Sequence, residues 1–108
     1  MLLLSVSFGS FAQTQAELNI KAGNEFKKAD AELNKVYKTL MLKLNAKDKS
    51  LLIAAQRNWL KFRDSHCGFE TNQYKGGSIL PMVYSSCLTQ TTRKRIADLK
   101  SSIESRSR

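Results

Sequence analysis

These 108 residues, 42% of them hydrophobic, have room for one domain with a thin core. Its 18 Lys and Arg against 9 Asp and Glu give a formal charge of +9, a field that favours anionic partners: phospholipid or lipopolysaccharide head groups, acidic glycans, acidic proteins or nucleic acid. No run approaches the ~20 apolar residues of a membrane span.

The first twelve residues, MLLLSVSFGSFA, are uncharged and mostly apolar, and they end in the small-x-small triplet Ser10-Phe11-Ala12 that suits signal peptidase. Residues 1–12 are therefore predicted to be an export signal, although its usual positive start is missing, and residues 13–108 a single mature domain, periplasmic or secreted. The alternative for this segment is an apolar first helix of the fold. All charged residues lie beyond Ala12, so the mature domain keeps the full +9.

From Gln15 to Leu44 the positions Leu18, Ala22, Phe26, Ala29, Leu33, Val36/Tyr37, Leu40 and Leu44 step by threes and fours, which predicts a long first helix. Gly23 and Asn24 interrupt it weakly, leaving its start either near Asn24 or further back. Asn45 to Ser50 reads as a turn, with Asp48 or Ser50 as the cap of a second helix running from Leu51 to Tyr74. On that helix Leu52, Ala55, Trp59, Phe62, His66 and Phe69 predict an apolar seam broken only by His66, a residue expected to be half-buried in the core and not a ligand.

Cys67 and Cys87 lie ten residues either side of Gly77, about a Gly-Gly-Ser break. If the flanks fold into an antiparallel hairpin at Gly76 and Gly77, the cysteines come level, each roughly 12 Å below the turn. A disulfide needs Cα atoms within about 4.4 to 6.8 Å, closer than the usual 8 to 10 Å between helix axes, and Gly68, Ser85 and Ser86 leave room for that approach. Without a C-x-x-C pattern the bridge reads as structural, the alternative being two unpaired buried thiols. Pro81 suits a first turn, and Leu88, Thr92, Ile96, Leu99 and Ile103 define a third helix to about Glu104, beyond which Ser105 to Arg108 should fray. The expected fold is all-α: a small bundle of about three helices, with a disulfide-stapled hairpin packed on a long first helix.

On the polar side of the second helix, Arg63 and Asp64 are adjacent and so are expected to pair with other helices, Asp30 or Glu32 meeting an arginine and Lys35 meeting Asp64. Structural ion pairs are the simpler reading of this cluster; the sharper one makes Arg57 and Arg63 an anion-binding groove. Lys21, Lys28 and Lys35 stripe the first helix, while Arg93, Lys94, Arg95 and Lys100 crowd the third, so Arg93, Lys94 and Arg95 join Arg57 and Arg63 as candidate anion-binding residues. Nucleic acid is not expected, because interleaved stacking aromatics and reading motifs are missing. Neither enzyme signatures nor metal-ligand spacing appear, so no cofactor, metal or catalytic residue is predicted.

The motifs A-D-x-E-L-N, Q-R-x-W-x-x-x-R-D-x-x-C, G-G-S and C-L-x-x-x-T-x-x-R, in that order over about residues 24–100, resemble the lysozyme-inhibitor LprI-like N-terminal domain family. The pattern falls on Asp30, Glu32, Leu33, Asn34 and Tyr37, then Gln56, Arg57, Trp59, Arg63, Asp64 and Cys67, then Gly76, Gly77, Ser78, Pro81, Cys87, Leu88, Thr92 and Arg95. The resemblance implies an exported, helical, disulfide-bonded and non-enzymatic binding domain, with lysozyme or another cell-wall hydrolase as its target. Many relatives carry additional cysteines ahead of A-D-x-E-L-N, whereas this chain has none, which predicts a looser or differently placed start to the first helix. Animal-type lysozymes are strongly basic, so a +9 inhibitor needs a local acidic or apolar patch. The hairpin end supplies one candidate in Glu70, Tyr74, Ser78, Met82 and Tyr84. The competing reading is a basic envelope protein that binds anionic lipid or glycan.

Overall fold

The computed structural model describes residues 13–107. The proposed export signal lies outside them. The described residues form three long helices with no strand among them: α1 (Gln15–Met41), α2 (Ala46–Thr71), a single 3-10 turn (Asn72–Tyr74), and α3 (Leu80–Arg106). This is the expected all-α bundle, and none of its helices is long and apolar enough to cross a membrane.

Capping sets the helix boundaries and moves several of them from where periodicity put them. The Thr14 hydroxyl accepts the Glu17 N–H at 3.1 Å, and the Glu17 carboxylate accepts the Thr14 N–H at 3.0 Å. This capping box starts α1 at Gln15, well before Asn24, and α1 runs unbroken through Gly23. Its end comes at Met41, not Leu44. The Asn45 side chain accepts the Asp48 N–H at 2.8 Å, so α2 begins five residues before Leu51 and the turn falls at 42–45, ahead of the expected Asn45 to Ser50. At the other end Thr71 closes α2, its hydroxyl donating to the Cys67 carbonyl at 2.6 Å, and the chain passes through the 3-10 turn to Gly76, whose φ of 84° suits a residue without Cβ. Ser105 and Arg106, expected to fray, stay helical.

The Thr14 backbone N–H, and after it the Thr14 hydroxyl, hold the Glu17 carboxyl below its ordinary value. A depressed folded value means that the box contributes fully above the ordinary glutamate range and is lost as pH falls through the lowered one. An NMR titration is expected to place the Glu17 midpoint below that of an exposed glutamate; a midpoint at or above it would refute the box.

α1 and α3 run parallel, their contacts advancing in step from Glu25–Arg93 to Glu32–Lys100. α2 runs antiparallel to α3, as Cys67–Cys87, Arg63–Thr92 and Gln56–Arg95 record. Leu33, Val36 and Leu40 of α1 bury against Ile96 and Leu99 of α3, with Tyr37, Leu44, Leu52, Trp59 and Ile103 packed around them. Toward the hairpin end the core changes character to Ala29, Cys67, Thr71, Leu88 and Thr92.

The Cys67–Cys87 bridge forms with a Cα separation of 5.7 Å. Gly68 is not what permits the approach, since a Cβ there would meet nothing within 4 Å.

The expected seam of α2 is wrong for three of its residues. Phe62 is 55% exposed and Phe69 78% exposed, and Ala55 also faces outward. The face that packs inward carries Arg63, Cys67 and Thr71, at i, i+4 and i+8, with half-buried Gln56 and Trp59 in line. His66 lies half-buried at the edge, its ring stacked on Phe62 at 5.3 Å, outside the core.

Candidate functional site

Arg63 is the centre of a network that joins all three helices. Its guanidinium lies over the rings of Phe26 on α1 (5.2 Å) and Trp59 on α2 (5.4 Å). Nη1 reaches the Asp30 carboxylate at 3.8 Å and donates to the Thr92 hydroxyl at 3.5 Å. Nε donates to Asp64 at 2.9 Å, so the adjacent pair meets after all. Neighbouring Cβ atoms diverge on a helix, but the long arginine arm folds back across the gap. Asp64 therefore engages its neighbour and not Lys35, while Glu32 meets Lys100 at 3.1 Å instead of an arginine.

Arg95 joins the cluster from α3, its guanidinium 5.8 Å from the Trp59 ring centre and its Nε donating to Gln56 Oε1 at 2.9 Å. Burial pulls its guanidinium below the ordinary value, with Asp98 opposing the shift. The indole of Trp59 thus receives two cations.

Beside the network, α1 and α2 leave an open cleft of about 350 Å³ lined by Asp30, Leu33, Asn34, Tyr37, Ile53, Gln56, Arg57 and Leu60. Six of these eight belong to the sequence motifs. Asp30, Gln56 and Arg57 supply polarity and Leu33, Ile53, Leu60 and Tyr37 an apolar floor, a combination that takes a side chain from a partner better than a bare anion. No group of three metal-ligating side chains occurs among the described residues.

The five candidate anion-binding residues do not gather. Arg63 is buried and engages the more exposed Asp30 and Asp64, Arg95 is turned to Gln56 and Trp59, and Arg93 reaches Glu25 on α1 at 4.0 Å. Arg57 stands at the rim of the α1/α2 cleft, and Lys94 borders a groove between α2 and α3 with His66 and Glu70. The lysine stripe of α1 is likewise interleaved with acid, Lys28 lying 3.7 Å from Glu25.

At the hairpin end Glu70, Tyr74 and Ser78 are exposed, whereas Met82 and Tyr84 are half-buried. The Ser78 carbonyl accepts Asn19 Nδ2 at 3.0 Å, and Met82 Sδ lies 3.7 Å from Gln15 Nε2. These contacts and the capping box hold the start of α1, so its lack of cysteines does not leave it loose. Tyr84 lines a separate apolar cleft of about 390 Å³ with Gly68, Thr71, Leu80 and Pro81.

Sequence reasoning missed Phe26 as a platform for Arg63 and Gln56 as the acceptor for Arg95. Helical spacing was a usable signal for the first, since Phe26 and Asp30 are four apart and share a face.

Fold and site define a class: a small helical domain with one disulfide, whose motifs build an interhelical charge network beside an open cleft. The family model described as lysozyme inhibitor LprI matches residues 9–99, and the chain belongs to that family. It is 40% identical over 107 residues to an uncharacterized protein of Rhizobium meliloti (strain 1021), covering 87% of this chain and 77% of the relative. No solved structure matches it significantly.

Proposed function

We propose that this chain is an exported, non-enzymatic binding domain that restrains a lysozyme or another cell-wall hydrolase. The match to an inhibitor family over residues 9–99 carries the reading. The apolar segment 1–12 supports export, and the exposed Glu70 and Tyr74 of the hairpin end offer a basic hydrolase an acidic and aromatic contact. Under this reading the Arg63 network and the disulfide are scaffold, and the partner meets the outer surfaces they hold in place.

The test is lysis of a cell-wall substrate by an animal-type lysozyme, titrated with the oxidised full chain at near-physiological salt. Saturable inhibition is expected. Lysis that is unaffected at high molar excess, together with adsorption to anionic vesicles that fades steeply as salt is raised, would replace this reading with the basic envelope protein.

A further inference from the structure

The turn between α1 and α2 carries charge that the fold itself does not use. Residues 38–51 hold Lys38, Lys43, Lys47 and Lys49 against one acid, Asp48, and all four lysines are exposed. In the body of the molecule several basic side chains find carboxylates: Lys28 and Arg93 meet Glu25, Arg63 meets Asp30 and Asp64, and Lys100 meets Glu32. Among the described residues none of the four turn lysines has such a partner. By the register that sets Glu32 against Lys100, α3 ends level with Lys38 and adds Glu104 and Arg106 to this end, leaving five basic residues against two acidic ones. The opposite end, residues 13–20 with 70–84, has only Lys75 against Glu17 and Glu70.

Stability does not account for this placement. Lys38, in the last turn of α1, suits the negative end of that helix, but Lys47 and Lys49 stand in the first turn of α2, at its positive end, where a cation is unfavourable. The apolar residues of the turn divide in the same way. Leu44 packs at the edge of the core with Leu52 and Ile103, whereas Leu42 at the apex is 85% exposed, more than any other large hydrophobic side chain among the described residues.

Shape and chemistry select the partner. The clefts described above are lined by residues outside 38–51, so this end presents projecting side chains to a surface and not a cavity to a small anion. The segment has no aromatic residue on which a base could stack. A second copy would set the same positive turn against its own. A leucine beside long, unpaired lysines suits a fluid anionic interface, where the apolar side chain enters the acyl boundary and the lysine stems lie along it with their ammonium groups among phosphates.

We propose that the α1–α2 turn is a docking tip for an anionic phospholipid bilayer, with Leu42 as the inserted side chain and Lys43, Lys47 and Lys49 as the headgroup contacts. Docking by this end does not depend on hydrolase inhibition and is compatible with it, since the hairpin end is left free for a protein partner. Each lysine close to an anionic surface strengthens binding about fivefold.

The experiment measures co-sedimentation of the full oxidised chain with vesicles of phosphatidylcholine alone and of phosphatidylcholine with one third phosphatidylglycerol. Wild type is compared with Leu42→Ser, with Lys43→Gln/Lys47→Gln/Lys49→Gln, and with Lys21→Gln/Lys27→Gln/Lys61→Gln, which removes the same charge from exposed sites on the body. Melts followed by circular dichroism check folding, and removing cations from the start of α2 is expected to leave the melting temperature unchanged or raise it. Binding to anionic and not to neutral vesicles is expected, at least tenfold weaker in the turn triple variant, at least threefold weaker in Leu42→Ser, and within about threefold of wild type in the body triple variant. Equal weakening by the two triple variants would assign adsorption to the overall charge and overturn the tip, as would wild type that does not adsorb. Dextran sulfate is the soluble polyanion control: if it binds with the same dependence on the turn lysines, and Leu42→Ser leaves vesicle binding unchanged, the turn recognises polyanions and bilayer docking is overturned.

Discussion

Reducing the Cys67–Cys87 bridge, or replacing both residues by serine, is expected to lower the melting temperature by about 10 to 25 °C. Cross-linking a loop of this length stabilises by about 3 kcal/mol in the chain-entropy model, and each kcal/mol moves the melting point of a domain this size by roughly 4 to 8 °C. Local packing supports the full effect here. The bridge spans 20 residues and ties α2 to α3 where the buried neighbours are Thr71, Thr92 and Arg63, with few aliphatic groups to hold the helices if it is cut. α1 and α3, by contrast, share the most extensive interhelix contact and the aliphatic core. Thermal melts followed by circular dichroism, with and without reductant, measure the effect. A shift below about 3 °C would mean that the α1–α3 pair alone fixes α2, and that the bridge is incidental.

The helices were legible in the sequence because amphipathic periodicity is clear in α1, and in both α1 and α3 the buried residues Ala29, Leu33, Leu40, Leu88, Ile96 and Leu99 fall on the expected rows of threes and fours. Boundaries were less legible because they depend on single side-chain contacts, such as the Asn45 cap that starts α2 early. The face of α2 was misread for a definite reason. Hydropathy favours Phe62 and Phe69 for the core, but Cys67 must point at α3, and residues two apart on a helix lie about 200° apart around the axis. The bridge and a seam through Phe69 are therefore incompatible, and this conflict was visible in the sequence once the disulfide was inferred. What resolves it is that Arg63, an unattractive core residue by hydropathy, buries its stem and guanidinium between two aromatic rings.

The candidate site was half legible. The motifs named Asp30, Gln56, Arg57, Trp59 and Arg63, and the structure brings all five to the α1/α2 side. Charge counting failed for Arg95, because a basic cluster in sequence spreads over three directions around a helix. Arg93, Lys94 and Arg95 consequently reach α1, the α2/α3 groove and Trp59 respectively. The exposure of Phe62 and Phe69 was hidden by the same misreading that placed them in the core.

Arg63→Ala is expected to destabilise the domain by about 2 to 4 kcal/mol, and the comparison with its neighbours identifies the cause. Truncating one partner of a fully buried ion pair costs about 3 to 5 kcal/mol because a charge is stranded. Here the Asp30 and Asp64 side chains remain 44% and 57% exposed, so water can take over both carboxylates. The loss then comes mainly from the cavity between Phe26 and Trp59 and from the unpaired Thr92 hydroxyl. Asp30→Ala should accordingly cost less than about 1 kcal/mol, as half-exposed pairs do. Arg63→Met, which fills most of the same space, should recover more than half of the alanine loss. Urea titrations of the three variants distinguish the causes, and an Asp30→Ala effect equal to that of Arg63→Ala would make the ion pair, not the packing, the main source of the loss. The rotation of α2 follows from the same residue: with Arg63 and Cys67 both held inward, Phe62 and Phe69 are left facing out. A tolerated Arg63→Met should therefore keep the fold with Cys67 inward and Phe62 and Phe69 exposed.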